Sequence, residues 1–244
     1  MPDLLEFLRS ATPSWRMVLF AGPPLILWAF AIFWGAGFLN QRRHWRTGYT
    51  RKIVHVGVCL TAFLMQSQFG FSALCLFGGC VSVVIALLVW QGGGLLYEAV
   101  AREKDAPKRT HYIIVPYLAT LIGGLLANWW FGPVSIVGYL VTGLGDAVGE
   151  PVGVRFGRHT YRVPSLTKVK ALRSLEGSAA VLVASFIAAG IGLTVLGSVP
   201  NPWLFAVAIA IGGCAIEAIS PHGWDNATMQ ILPSALAWWL SQLI

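Results

Sequence analysis

Long apolar runs broken by short polar loops set the pattern of this chain. A helix needs about 20 apolar residues to cross a bilayer, and eight runs come close to or exceed that length. They cover roughly 17–39, 53–67, 71–90, 112–130, 133–152, 174–196, 203–219 and 227–243. The second and eighth are short, Pro23 and Pro24 are placed to bend the first, and Pro233 is placed to kink the last. The pattern predicts an all-α, polytopic membrane helix bundle of about eight transmembrane spans. No polar linker divides the chain, so residues 1–244 are expected to form a single integral membrane domain. Residues 1–16 carry leucines and Phe7 among charges and suit a short interfacial helix rather than a cleavable leader.

Composition agrees: 56% of the 244 residues are hydrophobic and 11% charged, about half the charged share of a soluble domain. Charge then fixes orientation. Basic residues gather in three alternate loops: Arg42, Arg43, Arg46, Arg51 and Lys52; Arg102, Lys104, Lys108 and Arg109; and Arg155, Arg158, Arg162, Lys168, Lys170 and Arg173. The intervening loops near QFG, WWFG and GSVPN carry no charge. The positive-inside rule puts the basic loops in the cytoplasm and both termini on the non-cytoplasmic side. Trp129, Trp130 and Trp203 sit where the opposite aromatic belt belongs. The net charge of +7 therefore reads as topology and attraction to anionic lipid. It does not read as nucleic-acid binding, which needs an extended basic surface. Cys59, Cys75, Cys80 and Cys214 lack metal-ligand spacing and read as small core residues.

The acidic residues carry the chemistry. Glu98, Glu103 and Asp105 read as solvated loop charge, whereas Asp146, Glu150, Glu176, Glu217 and Asp225 lie near the predicted cytoplasmic ends of spans. All five histidines map to the same side. Ionisable groups gathered at one mouth of a bundle point to a site there. Asp146 and Glu150, one helical turn apart, share a face at about 6 Å. Two such carboxylates stay ionised together by sharing a cation, and Mg²⁺ suits them because it keeps waters and substrate phosphates as its other ligands. Pairing with Arg155 or Arg158 is the competing reading. Glycines 145, 149, 153 and 157 recur every fourth residue. They permit close helix packing, within or between chains, or close approach of a ligand.

Ser174 is placed to cap the sixth span, with Glu176 in its first turn. A helix start beside Lys168, Lys170 and Arg173 suits phosphate, and Gly177 and Ser178 leave room; a plain cap with topogenic charge accounts equally for these residues. Glu217 in an apolar helix is hard to explain as packing, and Asp225 and Asn226 suit a second metal or a nucleotide group. His222 reads as a loop residue, while His55 lies one turn beyond Arg51 on the same helix face.

These pieces, in this order, resemble the CTP-dependent lipid kinases: phytol kinase, dolichol kinase and the yeast-type diacylglycerol kinase, within a wider family that holds the phosphatidate cytidylyltransferases. The resemblance covers about residues 50–234 and rests on four elements. An RKxxH element looks like Arg51, Lys52 and His55. A GD helix with a second acid and glycines looks like Gly145, Asp146, Glu150, Gly153 and Gly157. A KSxEGS-like element looks like Arg173, Ser174, Glu176, Gly177 and Ser178. A late acid and an Asp-Asn pair look like Glu217, Asp225 and Asn226. Arg173 replaces the family's common Lys, Glu150 its common Asp, and PHGWDN only faintly resembles the cytidylyltransferase signature.

The resemblance implies a kinase acting at the cytoplasmic face of a bacterial or archaeal cell membrane. It would move the terminal phosphate of CTP to a long-chain isoprenoid alcohol such as phytol or a polyprenol. Asp146 and Glu150, with Asp225, would hold Mg²⁺. Arg51, Lys52, Gly153, Gly157, Lys168, Lys170, Arg173, Ser174, Glu176, Gly177, Ser178 and Asn226 would bind the nucleotide. Glu217, Asp225 or His55 would take the hydroxyl proton. A cytidylyltransferase making a CDP-lipid and a cation-coupled transporter are the alternatives. The transporter would place its charges deep in the bilayer and show an inverted repeat.

Overall fold

The computed structural model describes residues 3–164, 171–221 and 223–243. Lys168, Lys170 and His222 lie outside the described residues. Helices α1 (Leu4–Ala11), α2 (Trp15–Arg43), α3 (Thr47–Phe69), α4 (Phe71–Gln91), α5 (Gly94–Glu98), α6 (His111–Phe131), α7 (Ser135–Leu140), α8 (Ala147–Phe156), α9 (Leu175–Leu196), α10 (Pro202–Ile219) and α11 (Asp225–Ser241) follow in order. Every apolar run read from the sequence falls on helix. Among the described residues, five helical stretches are long and apolar enough to cross a membrane: Trp15–Arg43, Phe71–Gln91, His111–Phe156, Leu175–Leu196 and Pro202–Ile219. Two of the eight runs read as spans fall outside that set: α3 is diluted by Arg51, Lys52, His55 and two glutamines, and α11 has only 17 residues. The protein is thus an all-α, multi-pass helical chain, with one small β-ribbon that hydropathy does not reveal. The internal contacts group into two compact units, Met1–Val115 and Pro116–Ile244.

In the first unit, α1 exposes Leu4, Leu5 and Leu8 and lays Phe7 on Phe71, with ring centroids 5.2 Å apart. Ser14 caps α2 by accepting from the Met17 N–H at 3.2 Å. That helix runs through Pro23 and Pro24 and stops at His44, whose left-handed φ of 55° turns the chain. In the second basic loop Glu103 is exposed, as the sequence suggested, but Glu98 and Asp105 are paired and not solvated charge. Arg109 forks onto Glu98 at 3.2 and 2.6 Å and donates to the Ala101 carbonyl. Arg102 pairs with Asp105 at 2.7 Å with both side chains buried. Charge on a short loop over apolar helices is partly desolvated, so it pairs.

The second unit is organised around α9. Ser174 caps this helix, accepting from the Gly177 N–H at 3.1 Å, and Gly197, with φ 61°, ends it. Strands β1 (Thr160–Val163) and β2 (Ala171–Ser174) pair antiparallel ahead of it, with Tyr161 opposite Arg173. A buried polar seam ties α11 to α6. Asn226 Nδ2 donates to the Pro116 carbonyl and Thr120 Oγ1, and Gln230 Nε2 donates to the Thr120 and Asn226 carbonyls. A second seam joins α6 to α7 through Asn128, Tyr139 and Ser135. Interhelical hydrogen bonds of this kind contribute about 0.6–2 kcal/mol each in a membrane.

Candidate active site

Between α7 and α8 the chain makes a π-helical turn at Val141–Asp146. One extra residue per turn shifts the register of everything after it, and such turns concentrate at functional sites. Here the turn ends on Asp146, which is buried, and passes directly into α8 with Glu150 half-buried in its first turn. Asp146 and Glu150 thus lie on successive turns, as the spacing predicts. The turn packs tightly: a Cβ on Gly145 would collide with Ser185 Oγ.

The glycine ladder of α8 lies against the start of α9. A Cβ on Gly149 would come within 2.8 Å of Val181, and one on Gly153 within 2.9 Å of Ser174 Oγ. A Cβ on Gly157 would reach Ser174 Oγ at 2.8 Å, and one on Gly177 the Gly149 carbonyl oxygen at 2.8 Å. The bare backbones of Gly149, Gly153, Gly157 and Gly177 are therefore filled by the neighbouring helix and its cap. Of the two roles the sequence allowed, the geometry displays helix packing.

Arg173, on β2, reaches across to two later helices. Its Nε donates to Glu217 Oε1 of α10 at 2.8 Å, and its Nη2 to Asp225 Oδ2 at the start of α11 at 2.9 Å. This gathers three candidate residues from across 52 positions of sequence. It also accounts for Glu217 in an apolar helix, since a buried carboxylate needs a partner. Asp225 Oδ1 accepts from the Asn226 N–H at 3.1 Å. The Asn226 side chain is committed to α6, as described above. Tyr161, opposite Arg173 on the ribbon, shares a 2.7 Å hydrogen bond with Ser178 Oγ. Burial pushes the Tyr161 hydroxyl above its usual range, so it stays protonated in that contact.

Beyond the end of α8 an open cavity of about 470 Å³ is lined by Arg155, Phe156, Gly157, Arg158, His159 and Glu176. That is the size of a small-molecule site. Glu176 binds His159 Nδ1 at 2.8 Å and accepts from its backbone N–H. The Arg155 guanidinium lies 5.4 Å over the Phe156 ring. Sequence reasoning named Gly157 and Glu176 of this lining, but read Arg155 and Arg158 only as topogenic charge or as partners for Asp146 and Glu150. The available signal was Gly157, which ends the helix inside a run of basic residues.

Arg51, Lys52 and His55 lie on the second and third turns of α3 in the other unit. Lys52 is buried there, and His55 Nε2 is 4.0 Å from Cys59 Sγ. Among the described residues no three His, Cys, Asp or Glu side chains form a metal-binding group. Asp225 is held by Arg173, and Asp146 and Glu150 are two carboxylates on successive turns. Hard oxygen donors in that number fit Mg²⁺, which fills its shell with water and phosphate oxygens.

No family model matches the chain, and no solved structure matches it. It is similar to the phytol kinase of Synechocystis sp., with 28% identity over 236 residues, 93% of each chain.

Proposed function

We propose that this protein is a lipid-alcohol kinase. It moves the terminal phosphate of CTP to a long-chain isoprenoid alcohol of the phytol or polyprenol type, with Mg²⁺, at the cytoplasmic face of the cell membrane. The observation that carries this reading is the end-to-end similarity to a phytol kinase. The grouped acids, the Arg173 fork and the basic cavity at one end of the second unit support it.

Asp146 and Glu150 are the residues that would hold Mg²⁺, whose chemistry is to neutralise charge on the donor's phosphates. Arg155 and Arg158 bind those phosphates in the cavity, and Lys168 and Lys170 add positive charge from the same basic segment. A donor well placed on the transferring group lowers the barrier by about 3 kcal/mol. Glu217 and Asp225, both gripped by Arg173, are the acids positioned to take the proton of the lipid hydroxyl. Phe156, which lines the cavity, is exposed, as are Val154, Leu172 and Leu175 nearby in the chain. Apolar surface of that kind suits an isoprenoid tail arriving sideways from the bilayer.

The test is purified protein in detergent with γ-labelled CTP and a panel of alcohols: phytol, farnesol and polyprenols. Label in an alcohol is the expected result. No label in any alcohol overturns the proposal.

A further inference from the structure

We propose that Arg173 is a positioning residue, and that its guanidinium sets the placement of Glu217 and Asp225 instead of binding the donor's phosphates. The inference rests on the kinase reading and deepens it at the same site.

The geometry carries it. The guanidinium presents an edge made by Nε and Nη2, and each of these atoms holds a different carboxylate: Glu217 at 2.8 Å and Asp225 at 2.9 Å. All three side chains are nearly buried, at 14%, 7% and 14% exposure. A phosphate taking that edge would have to displace two buried anions, each left without its cation. The residual donor, Nη1, is buried with no hydrogen-bond partner among the described residues, so it too is shielded from a ligand arriving in the open cavity.

Position in the chain explains why an arginine serves here. Glu217 ends an apolar helix and Asp225 begins the next, while Arg173 reaches both from a short strand pinned by the ribbon and by the Ser174 cap. One rigid fork can set the spacing of two carboxylates on two helices. A lysine ammonium is a single flexible point charge and cannot fix both at once. Asp225 is oriented further by the Asn226 N–H. Misplacing a reacting group by about 1 Å can cost a hundredfold in rate, so a residue that only aims two acids can govern turnover.

The experiment compares wild type, Arg173→Lys and Arg173→Ala, each checked for a monodisperse elution profile in detergent. Turnover is measured against CTP concentration, and labelled CTP binding is measured separately by equilibrium dialysis. A positioning role predicts that Arg173→Ala and Arg173→Lys both lose roughly a hundredfold in kcat. Their KM for CTP and their CTP binding should stay within about twofold of wild type, a loss too small for a severed phosphate contact. Ethylguanidinium should restore part of the Arg173→Ala turnover. If Arg173→Ala does not fold, Arg173→Lys carries the same comparison. Lost CTP binding, or full activity with lysine, overturns the positioning role. Wild-type protein that phosphorylates no alcohol overturns the kinase reading itself, a different and separately visible failure.

Discussion

Gly177 faces the backbone of Gly149 across the α8–α9 contact so closely that a Cβ on Gly177 would stand 2.8 Å from the Gly149 carbonyl oxygen. Neither backbone can yield without moving a helix. Gly177→Ala should therefore lower stability by about 1–3 kcal/mol, the usual cost of forcing extra atoms into a packed contact. Thermal unfolding in detergent reads this as a lower Tm. An unchanged Tm would mean that the helices are not in this contact.

Asp146 lies buried where the π turn meets α8, and Glu150 lies one turn on. Asp146→Asn should reduce turnover by roughly 10²–10³-fold, the range seen when a charge-stabilising group is removed, with expression unchanged. Mg²⁺ with CTP should raise the Tm of the wild type but not of Asp146→Asn. A variant that responds to Mg²⁺ like the wild type would remove Asp146 from the metal site.

Arg155 and Arg158 line the cavity beyond α8. Each substitution to alanine should raise the KM for CTP by about tenfold, the effect of losing one charge-assisted hydrogen bond of about 1.5 kcal/mol. The Tm should hold steady, because neither arginine is buried. Steady-state kinetics over a CTP series checks it, and an unchanged KM in both variants would take the phosphates out of this cavity.

The buried seam gives a contrasting expectation. Gln230→Ala removes one donation across to α6, at the Thr120 carbonyl, and one within α11, at the Asn226 carbonyl, from a position only 1% exposed. The loss should be about 1–2 kcal/mol of stability. Activity per folded molecule should persist, read as turnover normalised to the monodisperse fraction.

The long apolar helices were legible because a bilayer demands apolar length, and that demand writes itself into consecutive residues. Helix α3 shows the limit. It begins at Thr47, six residues before the apolar run starting at 53, because Arg51 and Lys52 are helical yet not apolar. The Ser174 cap was legible from local chemistry, and so was the packing role of the glycines. The ribbon was not: its strands are four residues each, inside a basic segment with no clean alternation. The π turn leaves no compositional mark beyond Gly143 and Gly145. The sequence marked Arg173, Glu217 and Asp225 individually, but their joining depends on three separate elements meeting in space. Arg109–Glu98 and Arg102–Asp105 were misjudged as solvated because hydropathy counts charges and does not see which of them pair.

On the kinase reading, this chain phosphorylates a lipid alcohol. Incubation of the purified protein with CTP, Mg²⁺ and phytol or a polyprenol, followed by mass analysis of lipid and nucleotide together, tests it most directly. The expected products are the monophosphate of the alcohol and an equal amount of CDP. No phosphorylated alcohol there, with pyrophosphate and a CDP-lipid formed in a parallel incubation supplied with a lipid phosphate, would contradict it.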